Sequence, residues 1–338
     1  MEPSSPLIIQ FQHDGVIGGY CHPAERRWAL RNGHIVFLDC DGVVTTIFDE
    51  TDMQDNRVLR IKGHSRNDPT LKKLLEPATL PNLAGKEQPA VSNPLRFLKA
   101  LPEPKRENLV VLCANENSLH NQWTRDIDDM DRNWDLCITR YDPELTSFPP
   151  DCEYLVHQPK APKFTGIYKL FHGGSPLWNY RYVWLPDDDL TTSWRQINRL
   201  FEICYRHHLM LAQPALRAGS YVNHAMTRQD ERFALRFTKF VEIMCPAFSI
   251  GALQICLPTF EGMQSGYGLE HIWPQLLGDI ITRFAVIDTV TVMHTRPLGT
   301  NYNVRNAVRE GLEMQRLYHA GHSYDTGGCL MQAEADLL

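Results

Sequence analysis

The chain is 338 residues long, 43% hydrophobic, and carries a formal net charge of −6. Its length exceeds the usual single-domain size, so one large domain with a smaller appendage is expected, with ample chain for a core. The acidic balance argues against nonspecific nucleic-acid binding through a broad basic face, and the nine scattered cysteines, with no CxxC pair, read as reduced core residues rather than zinc ligands.

The N-terminus, Met1-Glu2-Pro3-Ser4-Ser5, has no basic region leading into an apolar one, and nowhere is there an apolar stretch of about 18 residues. A soluble, cytoplasmic protein without a transmembrane segment is expected. From Phe11 to about His64 the pattern is β: Asn32-Gly33 and Asp41-Gly42 separate β-rich runs, and both dipeptides favour the positive φ that tight hairpins need. A β-rich hairpin module over residues 1–66 follows. Phe37-Leu38-Asp39-Cys40-Asp41-Gly42-Val43 also imitates the DxDG motif of haloacid dehalogenase-like phosphatases, but there the motif ends a parallel strand before a helix, whereas here another β run follows at once. Residues 67–106, rich in Pro, Lys and Asn, read as a linker with a short helix at Pro94–Leu101.

Asn108–Ala114 is a continuous apolar strand of the kind buried in parallel sheets. A helix-like stretch from Ser118 to Met130, strands at Trp134–Tyr141 and Tyr154–His157, and a helix at Lys163–Phe171 come next. After the turn-forming Gly173-Gly174-Ser175-Pro176, the aromatic run Tyr180-Arg181-Tyr182-Val183-Trp184-Leu185 delivers Pro186-Asp187-Asp188-Asp189 to the carboxyl end of a buried strand, where open α/β sheets keep their ligands. Three adjacent carboxylates there repel and cost desolvation, so a hard divalent ion, Mn²⁺ or Mg²⁺, or a hydrogen-bonding network is needed to neutralise them. The other reading is an N-cap cluster for the helix that starts at Trp194 and runs to His208.

A strand follows from Leu209 and ends at Pro214, and then a polar connection passes through His224. Glu242 is a lone acid in the apolar run Phe240–Phe248, and reads as a substrate contact or buried support. Gly266 and Gly268 flank Tyr267 as a flexible turn opening a helix whose first turn holds Glu270, and a strand from Phe284 ends at His294-Thr295-Arg296. Residues 304–338 read as a polar helix and a Gly-rich, mobile tail. Strands alternating with helices predict an α/β fold, a mainly parallel sheet with flanking helices, over residues 107–303.

Five segments carry a resemblance. Tyr182–Leu190, Gln213–Leu216, Phe240–Ser249, Gly266–Glu270 and Val286–Asp288 with His294 resemble, in that order, a glycosyltransferase-like family of plants and bacteria long labelled as a domain of unknown function, related to predicted DNA-base glycosyltransferases. The resemblance implies a GT-A architecture whose DxD motif holds Mn²⁺ or Mg²⁺ on the diphosphate of a nucleotide-sugar donor. Asp187 and Asp189 would be the DxD ends, His294 a third metal ligand, and Arg296 and Lys163 phosphate contacts. Asn115 and Glu116 stand where such folds meet the nucleotide, Gly266, Gly268 and Glu242 are grouped with the substrate contacts, and Asp188 with the catalytic residues. Glu270 is the carboxylate expected to take a proton from the acceptor hydroxyl. A glycan, a lipid-linked sugar or another hydroxyl compound fits as acceptor, while the acidic balance disfavours nucleic acid. Two other readings stand beside this one: a phosphatase using Asp39 and Asp41, and a noncatalytic carbohydrate-binding protein.

Overall fold

The computed structural model describes residues 10–11, 17–18, 25, 27–39, 41–54, 57–76, 95–125, 127–128, 131–141, 152–171, 175–297, 303–322 and 324–331. They fall into two compact units, one within 1–82 plus 275–280, the other within 83–274 plus 281–338. The Gly173-Gly174 turn, Cys21 and Cys40 lie outside the described residues.

In the first unit β1 (Gln10–Phe11) pairs antiparallel with β2 (Ile17–Gly18). The strands β3 (Arg27–Arg31), β4 (His34–Leu38), β5 (Val44–Gln54), β6 (Arg57–Ser65) and β7 (Lys72–Leu75) form an antiparallel meander in chain order. Asn32 and Gly33 both have positive φ, 52° and 81°, as a two-residue hairpin requires. Phe37 and Phe48 meet edge-on with ring centroids 4.8 Å apart, and with Ile17 they form the small core. Asp39 sits in the β4–β5 turn, where its Oδ1 accepts from the amides of Asp41 (3.0 Å) and Val43 (2.9 Å). It turns the chain into an antiparallel strand, so the phosphatase reading is corrected: Asp39 is a turn residue and no parallel strand or helix follows it. The meander also runs on through β7, past residue 66 and into the stretch read as linker.

The second unit is built on one mixed sheet. In chain order its strands are β8 (Arg96–Lys99), β9 (Asn108–Cys113), β10 (Trp134–Arg140), β11 (Tyr154–His157), β12 (Tyr182–Trp184), β13 (Leu190–Thr191), β14 (Leu211–Leu216), β15 (Phe233–Thr238), β16 (Ala247–Ser249), β17 (Phe284–His294) and β18 (Thr326–Met331). Their spatial order is β18-β15-β17-β14-β16-β12-β9-β10-β11-β8, with β13 beside β17. β11, β10, β9 and β12 are mutually parallel, as are β14 and β17. The three-residue β16 runs antiparallel between these two blocks, and β8, β15 and β18 are also antiparallel to their neighbours. The expected mainly parallel sheet is therefore a mixed one, because β16 enters from a loop rather than through a crossover helix.

The helices are α1 (Lys163–Phe171), α2 (Trp194–Arg206), α3 (Ile250–Cys256), α4 (Leu269–Leu276) and α5 (Val304–Leu317). α2 buries Ile197, Leu200, Phe201 and Cys204 in one cluster with Trp184 and Ala247. The next residue of β16, Phe248, points to the other face, where it packs on Trp273 (5.0 Å) and Phe260 (6.2 Å), and Phe164 of α1 joins them. No described helix is long and apolar enough to cross a membrane. The described cysteines are free; Cys137, Cys152, Cys204, Cys245 and Cys256 are buried, but Cys329 on β18 is exposed.

Other expectations are corrected as well. The segment read as a helix at 94–101 holds β8, an edge strand against β11. Ser118–Met130 holds only a short 3₁₀ turn, Leu119–Gln122, among its described residues. The Gly-rich end read as mobile includes β18. Pro214 does not end its strand: the register with β17 jumps from Pro214↔Ile287 to Ala215↔Thr291, a bulge that accommodates a residue with no amide to donate. Asp288, inside that bulge, accepts two bonds from Arg236 and one from the Asp230 amide, each 2.8 Å.

A buried ion network braces the end of β10 away from its carboxyl terminus. Asp135, with no exposure, accepts from Arg106 Nη1 (2.7 Å), Tyr180 Oη (2.7 Å) and the Lys105 amide (2.9 Å), while Glu153 bridges Arg106, Arg132 and the Leu136 amide. Removing one member leaves its partners charged or polar in a dry site. Asp135→Ala is expected to lower unfolding free energy by about 3–5 kcal/mol in urea denaturation, and a loss within experimental error would show the network to be dispensable.

Candidate active site

The acidic run begins where β12 ends, and its backbone is held on both sides. The Leu185 and Asp187 amides donate to Pro246 and Met244 carbonyls (both 2.9 Å), the Asp188 carbonyl accepts from the Leu119 amide (2.8 Å), and the Asp189 carbonyl accepts from Thr295 Oγ1 (2.8 Å). None of the three aspartates caps α2: β13 intervenes and Ser193 occupies the N-cap position. The N-cap reading is thereby corrected.

Each aspartate has its own cationic neighbour. Asp187 Oδ1 accepts from Lys163 Nζ (2.7 Å), and that ammonium also donates to the carbonyls of Ile243 (2.9 Å) and Met244 (2.8 Å). Asp188 accepts from Arg296 Nη1 (3.0 Å), Asn115 Nδ2 (2.6 Å) and Ser118 Oγ (2.8 Å). Asp189 Oδ2 lies 3.2 Å from His294 Nε2, while His294 Nδ1 is 2.9 Å from the Tyr221 carbonyl and so carries the proton there. Asp189 Oδ1 is buried and has no hydrogen-bond partner.

Environment separates these groups. Burial pushes the Asp187 carboxyl up against the opposing pull of Lys163, although the side chain keeps 39% of its exposure and solvent tempers that push. Burial also acts upward on Asp189, but the hydrogen bond and charge of His294 outweigh it and hold the carboxyl below its ordinary value. Burial pulls the His294 imidazole down, and the bond and charge of Asp189 with the Tyr221 carbonyl more than offset it, so its pKa is raised.

These residues line a cleft of about 400 Å³ at the carboxyl ends of β9, β12 and β17. Asn115, Lys163, Asp187, Asp188, Asp189, Glu242, Glu270, His294 and Arg296 all face it. Glu242 and Glu270 are only 4% and 6% exposed, yet the Oε2 of each is without a hydrogen-bond partner. Burial first, then the charges of Glu270 and Asp187, push the Glu242 carboxyl up to about 8; burial raises Glu270 to about 7 against the amides of Glu270 and Gly268. The Glu242 backbone is fixed by its amide donating to Oε1 of the fully buried Gln213 (2.6 Å).

Several expected contacts take other places. Glu116 is exposed and does not line the cleft, because the 115–118 turn points Asn115 inward and carries the next residue out. Lys163 has three internal acceptors and so ties α1 to Asp187 and to the 243–244 backbone. Asp188 has both oxygens engaged, Oδ1 by Arg296 and Oδ2 by Asn115 and Ser118. Arg296 is held by Asp188 and by the Asn117 carbonyl (2.6 Å). Gly266 and Gly268 do not line the cleft and do not form a loose turn: φ is 85° and 90°, and a Cβ would come within 2.7 Å of the Phe164 ring and 2.8 Å of Gly311 Cα of α5. Lining residues not foreseen from sequence include Asn223, His224 and Ser265, which come from polar connections without periodicity, and Tyr141 and Tyr267, which stand at the end of a strand and in a glycine turn that gave no sign of facing a ligand.

Among the described residues no three His, Cys, Asp or Glu side chains converge as a preformed ligand set. Asp189 and His294 still fit a divalent ion: an orphaned buried carboxylate oxygen lies beside an imidazole whose Nδ1 is fixed by a carbonyl, so that Nε2, on giving up the proton it donates to Asp189, would offer its lone pair to the ion.

No protein-family model and no curated protein matches the chain. Among solved structures, the crystal structure of S. aureus TarS 1-349 in complex with UDP-GlcNAc aligns at a TM-score of 0.43 and 10% identity, over 63% of this chain and 65% of that one. S. aureus TarS 1-349 aligns at 0.39 and 8% over 62% and 71%, and S. aureus TarS at 0.37 and 8% over 62% and 43%. The chain thus spans less than two thirds of the UDP-GlcNAc complex's chain, and likenesses at this level carry no argument about what it does.

Proposed function

We propose that the chain is a metal-dependent glycosyltransferase that moves a sugar from a nucleotide-sugar donor to a hydroxyl acceptor. The observation that carries this reading is the cleft itself, which gathers the Asp189–His294 pair and two buried carboxylates with partnerless oxygens at the carboxyl ends of the strands. Both ammonium and guanidinium groups lining it, Lys163 and Arg296, are already bonded to aspartates. A nucleoside diphosphate therefore needs a cation brought with it, and Asp189 and His294 would hold Mn²⁺, which tolerates imidazole with carboxylate, or Mg²⁺. Bound there, the ion would offset the negative charge that grows on the leaving diphosphate.

The residues of the chain supply the rest. As an acceptor hydroxyl oxygen forms its bond to the anomeric carbon, the bond from that carbon to the phosphate oxygen breaks and its electron pair leaves with the diphosphate. Glu270 takes the hydroxyl proton on its partnerless oxygen; a group raised to about 7 is well matched to that task near neutral pH. Glu242, raised further and protonated at neutral pH, can donate a hydrogen bond to a sugar hydroxyl. A protein that only bound sugar would have no requirement for nucleotide or metal.

Asp189→Asn removes charge but little volume. It is expected to abolish Mn²⁺-dependent binding of UDP or GDP in titration calorimetry with the melting transition retained, and unchanged affinity would sink the metal assignment.

Glu270→Gln keeps size but cannot accept the proton, so turnover should fall by roughly 10²-fold or more at unchanged donor affinity. In the native protein the ionised form of Glu270 is the active one, so turnover should rise with pH through about 7. That rise should be absent from the residual activity of the variant; its persistence would move the base assignment elsewhere.

A further inference from the structure

The stretch between α5 and β18 crosses beside the cleft. The Asp325 carbonyl accepts from the Lys239 amide (2.9 Å) and Thr238 Oγ1 (3.2 Å), which fixes the segment against the end of β15. This anchoring lays Tyr324 on Phe240, ring centroids 5.1 Å apart and planes 30° from parallel. His224, which lines the cleft, stands 4.5 Å from Phe240 and 6.3 Å from Tyr324. His271, next to Glu270, meets Tyr324 at 5.2 Å and His322 at 4.9 Å. Phe240 is fully buried while Tyr324 keeps 49% of its surface exposed, so one ring of the stack is support and the other is presented outward.

This aromatic surface adjoins the two carboxylates with no partner on Oε2, Glu242 and Glu270, each more than nine-tenths buried. Tyr324 is close enough to Glu270 that this carboxylate adds to the rise in its phenol pKa, behind burial. The combination has a definite chemistry. Exposed aromatic faces stack on the C–H faces of sugar rings, and buried carboxyls facing a cleft bind hydroxyls. Charge disfavours the competitors: the lysine and arginine among the described lining residues, Lys163 and Arg296, are each bonded to an aspartate, so a polyanion brings its charge to a surface with no unengaged lysine or arginine.

We propose that Tyr324 and His224, on their Phe240 support, form the acceptor subsite, and that the acceptor is an uncharged carbohydrate chain. The proposal rests on the transferase reading for the word acceptor, while the binding site itself is tested without it. Tyr324 is a binding residue here and takes no part in proton transfer.

The test is glycan binding to the full chain, using immobilised gluco-, xylo-, manno- and galacto-oligosaccharides, oligogalacturonides and single-stranded DNA as probes. At least one neutral series should bind in preference to the acidic probes. Tyr324→Ala should weaken that binding by about five- to tenfold, on the scale of aromatic stacking, with Tyr324→Trp restoring it. Affinity for UDP or GDP with Mn²⁺ should stay within about twofold in both variants, which also reports that they fold. Preference for oligogalacturonide or DNA, binding of no neutral series, or indifference to Tyr324→Ala would each overturn the proposal. Loss of nucleotide binding in the native protein, with neutral glycan binding intact and Tyr324-dependent, would instead remove the transferase reading and leave the sugar site standing.

Discussion

Three consecutive carboxylates at the mouth of a buried strand cannot be left to repel one another, and most of the second unit's local geometry follows from how that charge is met. Lys163 comes from the first residue of α1, His294 from the last residue of β17 and Arg296 from just beyond it, one for each aspartate. The pairing draws α1, β17 and the 243–244 backbone to the end of β12. Partly buried pairs with extra hydrogen bonds are the kind that keep a fixed geometry, and Asp188 is such a case, with Asn115 Nδ2 and Ser118 Oγ donating to it beside Arg296.

Neutralising the aspartates internally has a consequence for the cleft. Its lysine and arginine are engaged, and the buried oxygens there without a hydrogen-bond partner belong to carboxyl groups: one of Asp189, one of Glu242, one of Glu270. Surroundings then sort these groups: burial acts upward on all three, but His294 outweighs it at Asp189 and holds that carboxyl down, while Glu270 and Glu242 are raised. Titratable groups whose surroundings push them in opposite directions are how one site keeps a charged ligand set and a proton acceptor side by side.

The wall carrying Glu270 is set by backbone contact rather than by side chains. A Cβ on Gly268 would come within 2.8 Å of Gly311 Cα, and one on Gly311 would lie tightly, 3.1 Å from the Tyr267 carbonyl carbon, so small residues let α5 lie directly on the turn that starts α4. The segment after α5 then returns past Phe240 to pair β18 with β15, bringing Tyr324 with it. A Gly-rich end thus becomes an edge strand, because neighbouring β15 offers a free ladder to residues with little preference of their own.

Much of this was legible in residue order. Continuous apolar runs marked β9, β10 and β12, helical spacing marked α1, α2 and α4, Asn32-Gly33 marked its hairpin, and the aspartates were placed at the end of a strand because acid follows an aromatic run there. These are local signals, carried by periodicity and turn chemistry within a few residues. The direction of β16, the strand identity of β8 and β18, and the bulge at Pro214 are decided by what lies alongside, which short or glycine-rich segments do not encode. The partners are more distant still: Lys163 meets Asp187 from 24 positions away and Arg296 meets Asp188 from 108. Residue type and order were enough to say which groups carry charge near a ligand site; only the tertiary structure decided which charges are bonded internally and which face the cleft, because burial and hydrogen-bond saturation are properties of neighbours that folding, not sequence proximity, brings together.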